Sequence, residues 1–329
     1  MITSRGLQDV MHDTIPPEDT ASRDASGWSA TSYRNVASYV YSSEATASIL
    51  QLLDARPGER ILDFGCGSGE VTAEIARLVG PQGVVVGVDT SESMVSRATP
   101  SADAKKLMIQ QIVKARETTK LPDTLLIKCD IQAPQLLEEL PPDFVGKCDK
   151  IFSNAALHWC SRDPLGVLAN ASKILKVGGL FVAEMGGHGN VAGPHLHSCR
   201  PGYQLNTGSD VRNALHAALL KRGIDPVARD PWLFPTPDQY TQLLKSANLH
   251  PLNVALQPRE TPIADLADWI RLFCGHNFLE GIEPENEQEI VREVVATCRK
   301  AGRCRWDEQK KLWYLDYVRL RVTAAKVED

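Results

Sequence analysis

The sequence predicts an α/β fold: a doubly wound, seven-stranded sheet with a mainly helical cap inserted around strands five to seven. Three observations predict it. The run ILDFGCGSGEV, Ile61–Val71, sets a short apolar strand directly before a glycine-rich turn and a helical pattern. That is how a buried parallel strand reads when its carboxyl end bends sharply against a ligand. A second run, Val84-Val85-Val86-Gly87-Val88, ends in Asp89, twenty residues beyond Gly69. Strand and helix patterns then alternate five times before the rhythm changes near residue 190, as a parallel sheet with crossover helices requires.

The elements follow in order. Residues 1–27, rich in Ser, Asp, Thr and Pro and without an apolar segment, read as a mobile tail rather than a signal peptide. Trp28-Ser29-Ala30-Thr31-Ser32-Tyr33 opens the ordered part. A serine cap at Ser42 or Ser43 starts a helix carrying Ile49, Leu50, Leu52 and Leu53, which Pro57-Gly58 ends. The helix after the glycine loop carries Val71, Ile75, Leu78 and Val79 and stops at Gly80-Pro81. Past strand two come a polar helix with Met94 and Val95 and a charged helical stretch around 102–116. Strand three, Thr124–Lys128, closes in Cys129-Asp130-Ile131. Strand four, Lys150–Ser153, closes in Asn154-Ala155-Ala156-Leu157-His158-Trp159. A helix from Pro164 to Leu175, with Leu165, Leu168 and Ile174 in its apolar set, and a Gly178-Gly179 turn lead to strand five. That strand, Leu180–Glu184, runs out into Met185-Gly186-Gly187-His188-Gly189. These polar strand ends lie where ligands bind in such sheets. Beyond residue 190, helices are expected near 210–222 and 237–247, then strand six at Leu252–Leu256. Helices over Ile263–Phe273 and Glu285–Arg299 precede strand seven, Lys311–Thr323, rich in β-formers.

An acid at the tip of the second strand is placed to accept hydrogen bonds from ribose hydroxyls, so Asp89 and the glycine loop form a nucleoside-binding unit. The glycines run G-x-G-x-G, not the G-x-G-x-x-G of dinucleotide folds. Glu70 in the first helical turn would repel a pyrophosphate there, but it is harmless beside an uncharged or cationic ligand. The alternative is a loop that merely turns.

Composition narrows the partners. The 329 residues, 43% hydrophobic and 23% charged, suffice for one large α/β domain with insertions or two smaller ones. A net charge of −5 argues against a nucleic-acid surface. No apolar run has the length of a bilayer span, so no membrane partner is expected. Eight cysteines without CxxC pairs, in a chain lacking an export signal, read as reduced thiols of a cytoplasmic protein. His195-x-His197-x-Cys199 has the alternation metal ligands need but no fourth ligand at finger spacing. Loop polarity is the preferred reading, and no metal is expected.

The succession WSATSY, ILDFGCGSG, VGVDTSESM, CDI and FSNAALHW resembles the trans-aconitate methyltransferase-like branch of the class I S-adenosylmethionine-dependent methyltransferases. LKVGGLFVAEMGGHGNV, PWLFPTPDQYTQLLKSAN, the ADWIRLF helix and DYVRLRV extend the resemblance over about residues 28–325. The departures are the longer N-terminal tail and a longer segment, about 97–123, between strands two and three. The resemblance implies a Rossmann-like sheet, S-adenosylmethionine as cofactor and a small-molecule acceptor. It divides a single 28–329 domain into a cofactor-binding core (28–190), a cap and substrate region (191–310) and a final strand (311–325). It assigns Asp63 and Gly65, Cys66, Gly67 and Gly69 to the methionine portion, Asp89 to the ribose, and Thr90 and Met94 to the adenosine. Asp130 takes the adenine amino group, Ile131 covers the ring, and Asn154 and Ala155 line the sulfonium end. Trp28 and Tyr33 read as a lid whose aromatic faces attract the sulfonium; packing on the sheet is the alternative.

Methyl transfer from a sulfonium mainly requires nucleophile, methyl and sulfur held in line. A carboxylate acceptor needs no base, whereas a phenol or amine is helped by one. His158 and His188, just past strands four and five, are the candidate catalytic residues, with loop packing as the alternative. Trp269 and Phe273 share a helix face at i and i+4, and His276 and Phe278 follow Gly275. With Trp159 they are the candidate acceptor contacts; cap core is the alternative, as it is for Trp232 and Phe234. Arg259, Arg271 and Arg319 are candidate clamps for an acceptor carboxylate. Two other functions fit the same cofactor residues: a non-methyl reaction using the bound cation, and a non-catalytic module on this fold.

Overall fold

The structure, a computed structural model, describes residues 26–95, 125–191, 211–301 and 304–328. Five strands, β1 (Arg60–Phe64), β2 (Val84–Asp89), β3 (Leu125–Lys128), β4 (Cys148–Asn154) and β5 (Leu175–Gly186), run parallel in the order 3-2-1-4-5. β6 (Leu249–Ile263) forms the far edge, and β8 (Leu312–Lys326) lies between it and β5, antiparallel to both. A short β7 (Arg305–Asp307) pairs with the start of β8, so among the described residues the sheet has eight strands where seven are expected. Three residues carry too little alternation to be read as a strand.

Both sheet faces are covered. Helices α2 (Ser43–Leu53) and α3 (Glu70–Val79) press Ile49, Leu53, Ile75 and Val79 onto Phe152 and Val182. On the other face, α6 (Pro164–Ile174) and α8 (Pro237–Ser246) bury Leu168, Ile174 and Leu244 against Leu62, Phe64 and Phe181. The short helices α4 (Glu92–Val95) and α5 (Leu136–Glu139) follow β2 and β3. Central strands buried on both faces read as continuous apolar runs, which is why β1, β2 and β4 stood out in the sequence. A separate apolar cluster forms the cap from α1 (Ala30–Ala37), α7 (Val211–Leu220), α9 (Leu266–Cys274) and α10 (Pro284–Ala301).

Capping fixes the helix starts. Ser42 caps α2, its hydroxyl accepting from Ala45 N–H at 3.2 Å, and Thr236 with Gln239 closes a capping box on α8. Asp265 caps α9 by accepting from Asp268 N–H, so that helix begins at Leu266 and Ile263 belongs to β6 instead. Leu78 and Leu165, expected in the core, are 46% and 41% exposed on the outer helix faces.

The expected helix around 102–116, residues 1–25 of the tail and the His195-x-His197-x-Cys199 motif lie outside the described residues. Among the described residues, no cluster of three His, Cys, Asp or Glu is arranged to hold a metal. None of the described helices is long and apolar enough to cross a membrane.

Candidate active site: an aromatic-roofed cleft and an inner chamber

The site forms where the loops after β1 and β4 meet. Gly65 has φ +71°, and a Cβ built on it would stand 2.1 Å from Ala156 Cβ, so the close approach of the two loops demands glycine. Asp89 ties the glycine loop to the end of β2. Its Oδ2 accepts from Gly67 N–H and its Oδ1 from Ser91 N–H, both at 2.9 Å. Asp130, past β3, accepts from Gln132 N–H at 2.9 Å and pairs with Arg162. Burial alone would raise its carboxyl, but the Gln132 hydrogen bond and the Arg162 guanidinium outweigh it and hold it below the usual carboxylate range.

These ends surround a cleft of about 330 Å³. It is lined by Gly65, Gly67, Asp89, Thr90, Met94, Asp130, Ile131, Asn154, Ala155, Trp28 and Tyr33 from the expected cofactor set. Asp63, Cys66 and Gly69 from that set are not on its wall. Asp63 is 2% exposed behind the loop, its Oδ2 accepting from Thr72 Oγ1 at 2.7 Å. Burial pushes this carboxyl up to about 7, against the Thr72 hydrogen bond and with the help of the Asp89 charge. The Cys66 side chain packs with Val95 and Leu126. Gly69 caps α3, where a Cβ would come within 2.9 Å of Leu126. All three therefore shape the loop from behind.

The roof is aromatic. Trp28 meets Trp159 edge-on at 5.0 Å, Tyr33 at 5.5 Å and His276 at 4.6 Å. Ser93 Oγ donates to the Trp28 carbonyl at 3.1 Å, holding the N-terminal segment down. Ser26, Val40, Gln132, Ala156, Cys160 and Arg162 also line the cleft and were missed; most lie within two residues of an expected position.

Beside the cleft lies a small inner chamber of about 30 Å³, the two sharing Tyr33, Val40, Ala155 and Trp159. Trp232, Phe234, Trp269 and Phe273 wall it, and His158, Asn190, Tyr39, Tyr317 and Arg319 supply its polar groups. Trp269 Nε1 donates to Tyr317 Oη at 2.8 Å, and the Tyr39 and Tyr317 hydroxyls are 2.9 Å apart. His158 is 7% exposed, and its Nδ1 accepts from Gly186 N–H at 3.3 Å. Burial, reinforced by the nearby Arg319 charge, pushes its pKa down to about 3. The ring is therefore neutral near pH 7, and with Nδ1 accepting, its proton sits on Nε2. A ring so held is a hydrogen-bond donor rather than a proton acceptor.

The other candidates divide. His188 is exposed and lines neither cavity; its backbone N–H donates to Pro235 O at 3.0 Å as the chain turns away from β5. Phe278 is fully buried in the cap, 5.3 Å from Trp232 and 5.5 Å from His216, and lines neither cavity. Trp159, Trp269, Phe273 and His276 do face the cleft or chamber. Of the three arginines, Arg271 pairs with Asp268 at the surface and Arg259 lies against Glu184 and Ala45 O, leaving Arg319 on the chamber wall.

Comparison with known proteins agrees with this architecture. Residues 55–198 match a family model described as a methyltransferase domain. The uncharacterized methyltransferase C70.08c of Schizosaccharomyces pombe is 31% identical over 306 residues, 91% of this chain and 98% of that one. Trans-aconitate 2-methyltransferase of Deinococcus radiodurans is 29% identical over 134 residues, 41% of this chain and 40% of that enzyme. Among solved structures, YcgJ of Bacillus subtilis superposes with a TM-score of 0.50 at 16% identity, over 88% of this chain and all of its own. A Bacillus halodurans C-125 protein gives 0.51 at 13% identity, over 87% of this chain and all of its own. These two show the shared fold; the yeast relative, nearly end to end, shows the family. The chain belongs to the class I S-adenosylmethionine-dependent methyltransferases.

Proposed function

We propose that the protein transfers the methyl group of S-adenosylmethionine to an oxygen of a small-molecule acceptor, a carboxylate or a hydroxyl. The observation that carries this reading is the inner chamber, a recess walled by aromatics that adjoins the cleft at Ala155 and Trp159. When bound, the cofactor supplies an activated methyl on a sulfonium. The residues present fit it. Asp89 stands on the cleft wall at the tip of β2, where a carboxylate, with about four acceptor sites, suits ribose hydroxyls. Asp130 and Ile131 hold the adenine, Asn154 and Ala155 face the sulfonium end, and Trp28, Tyr33 and Trp159 present aromatic faces to a cation.

The chain's contribution to the reaction is alignment and exclusion of water. His158 bears on the acceptor. A phenol or amine must lose a proton, and an imidazole fixed with Nε2 protonated does not receive it. An acceptor oxygen already ionised at neutral pH needs no such help, which favours a carboxylate. The partial likeness to trans-aconitate 2-methyltransferase points the same way. A panel of small carboxylic acids, phenols and amines, read by release of S-adenosylhomocysteine, tests the reading. Release with an acid or hydroxyl compound is expected; release with amines alone overturns it.

A further inference from the structure

We propose that Arg319 is an anion-binding residue of the acceptor site: its guanidinium takes a carboxylate of the acceptor that is not the group methylated. This rests on the methyl-transfer reading above. Three arginines of the last two long strands, Arg259, Arg319 and Arg321, gather around one carboxylate, Glu184 of β5, which is 1% exposed. Arg321 Nε donates to Glu184 Oε2 at 2.6 Å, and its guanidinium also reaches Ser48 Oγ at 2.5 Å. Arg259 donates to Glu184 Oε1 at 3.4 Å and to Ala45 O at 3.3 Å. Both are completed by Glu184 together with helix α2.

Arg319 is not completed. Its Nε lies 4.0 Å from Glu184 Oε1, beyond hydrogen-bonding distance. Its guanidinium makes no hydrogen bond to a described residue, and its Nε is wholly buried without a hydrogen-bond partner. Only 4% of the residue is exposed, with the guanidinium set over the Tyr317 ring at 4.7 Å. A buried charge is costly unless paired, and arginine cannot shed its proton to escape that cost. The place it faces is the inner chamber, whose described lining contains no aspartate or glutamate. Beyond the Glu184 carboxylate that three arginines share, no described acid lines the chamber, which leaves room for an anion from outside.

Size and chemistry set the class. A chamber of about 30 Å³ admits a carboxylate head and not a whole acceptor. A planar two-oxygen anion matches the guanidinium fork. An oxygen so held has its lone pairs engaged, so the nucleophilic oxygen is a different one, on the side of Ala155 and Trp159. The acceptor is then a small acid carrying a second oxygen function.

The test uses the full chain with S-adenosylhomocysteine bound and compares wild type with Arg319→Met and Arg319→Lys. Melting is followed at constant ionic strength with sodium formate and acetate, against formamide, acetamide and sodium chloride. The carboxylates are expected to raise the wild-type melting temperature above the other additives. Arg319→Met should lose that difference and Arg319→Lys keep part of it. Without ligand, Arg319→Met should melt at or above wild type, because it removes a buried cation that shares one carboxylate with two other arginines. A variant that melts far lower, or fails to fold, assigns Arg319 to structure with Glu184 and overturns the proposal. So does equal stabilisation by acids and amides. With acceptors from the release panel, Arg319→Met should raise KM at least tenfold for acids that carry a carboxylate besides the group methylated, and leave unchanged that of analogues with an amide in place of that carboxylate. Efficient wild-type turnover of acceptors with no carboxylate besides the group methylated overturns the anion site while methyl transfer stands. Arg319-dependent carboxylate binding without S-adenosylhomocysteine release from any acceptor overturns the methyl-transfer reading instead.

Discussion

At the residue scale Asp89 holds the glycine loop and, in the reading proposed above, takes the ribose; the two roles separate experimentally. Its carboxylate holds Gly67 and Ser91 through backbone N–H groups and faces the cleft. Asp89→Ala should weaken S-adenosylmethionine binding by about 1–3 kcal/mol, the scale of lost charge-assisted hydrogen bonds. It should also lower the melting temperature of the free protein, whereas Asp89→Asn, whose one amide oxygen can still accept one of the two N–H groups, should lower it less. Calorimetry showing unchanged cofactor affinity for Asp89→Ala would remove the ribose role. His158 makes a prediction about pH. In the unfolded chain an imidazole takes up its proton near 6.5, but the folded ring resists until about 3. Between those values the unfolded state binds more protons, so stability falls as the pH is lowered from 6.5 toward 3. His158→Asn retains an oxygen for Gly186 N–H and removes the titration. Its melting temperature should therefore fall less between pH 7 and pH 5 than that of the wild type. Asp63 acts in the opposite direction. Its folded carboxyl, pushed up to about 7 from 3.8, binds more protons than the unfolded one, and that stabilisation is lost as pH rises through 7. Being common to both proteins, it cancels in the comparison. Parallel melting curves would show that the imidazole titrates as it does in water.

At the scale of elements, helix α9 shows how one apolar face divides between two tasks. Trp269 and Phe273 reach the chamber, while Phe278, just past the helix end, turns into the cap core among Trp232 and His216. Phe278→Ala should thus cost about 3–5 kcal/mol of stability. The fraction that remains folded should turn over with an unchanged acceptor KM; a raised KM without loss of stability would put the ring back at the acceptor. The sequence has no way to separate these fates, because periodicity reports which face is apolar and not what it meets. The sheet was more legible, for a physical reason. β1, β2 and β4 are buried on both faces and read as uninterrupted apolar runs. β6 was read over five residues and spans fifteen, Leu249–Ile263. Pro251, Pro258 and Pro262 interrupt its pattern, and proline argues against a central strand. Among the described residues β6 is an edge, paired to β8 alone, and an edge has a side on which a missing N–H does no harm. The five-strand core and the glycine loop could therefore be placed from local pattern, while the edge needed the pairing partner.

At the scale of the whole molecule, the cofactor cleft and the chamber differ in how far apart in sequence their residues lie. The cleft is built mainly from strand ends, and each such end carries its own local mark, as Gly65-Cys66-Gly67, Asp89 and Asp130 do. The chamber joins Tyr39, His158, Trp232, Trp269 and Arg319, which meet only because β8 inserts antiparallel beside β5 and sets Arg319 opposite Gly186. Nothing near Arg319 in the sequence distinguishes it from Arg259 or Arg321; the distinction is which of them Glu184 and α2 complete. The shared walls give this arrangement a further consequence. A cation only partly compensated at Arg319 shares the walls of Ala155 and Trp159 with the cleft; with the sulfonium at that end, as proposed above, it would oppose S-adenosylmethionine more than the product, whose sulfur is neutral. Two unit charges roughly 10 Å apart at an effective dielectric near 20 interact by about 1.7 kcal/mol. An acceptor carboxylate on Arg319 cancels much of that repulsion. Binding of the carboxylate and of S-adenosylmethionine should then reinforce each other, and by linkage the effect is reciprocal. Calorimetric titration in saturating formate, against chloride at the same ionic strength, should show S-adenosylmethionine binding several-fold tighter and S-adenosylhomocysteine binding nearly unchanged. In Arg319→Met the two media should give the same affinities, and the preference for product over substrate cofactor should shrink even without formate. Equal tightening of both cofactors would mean that the anion acts by ordering the cap rather than through charge, and the electrostatic coupling would be wrong.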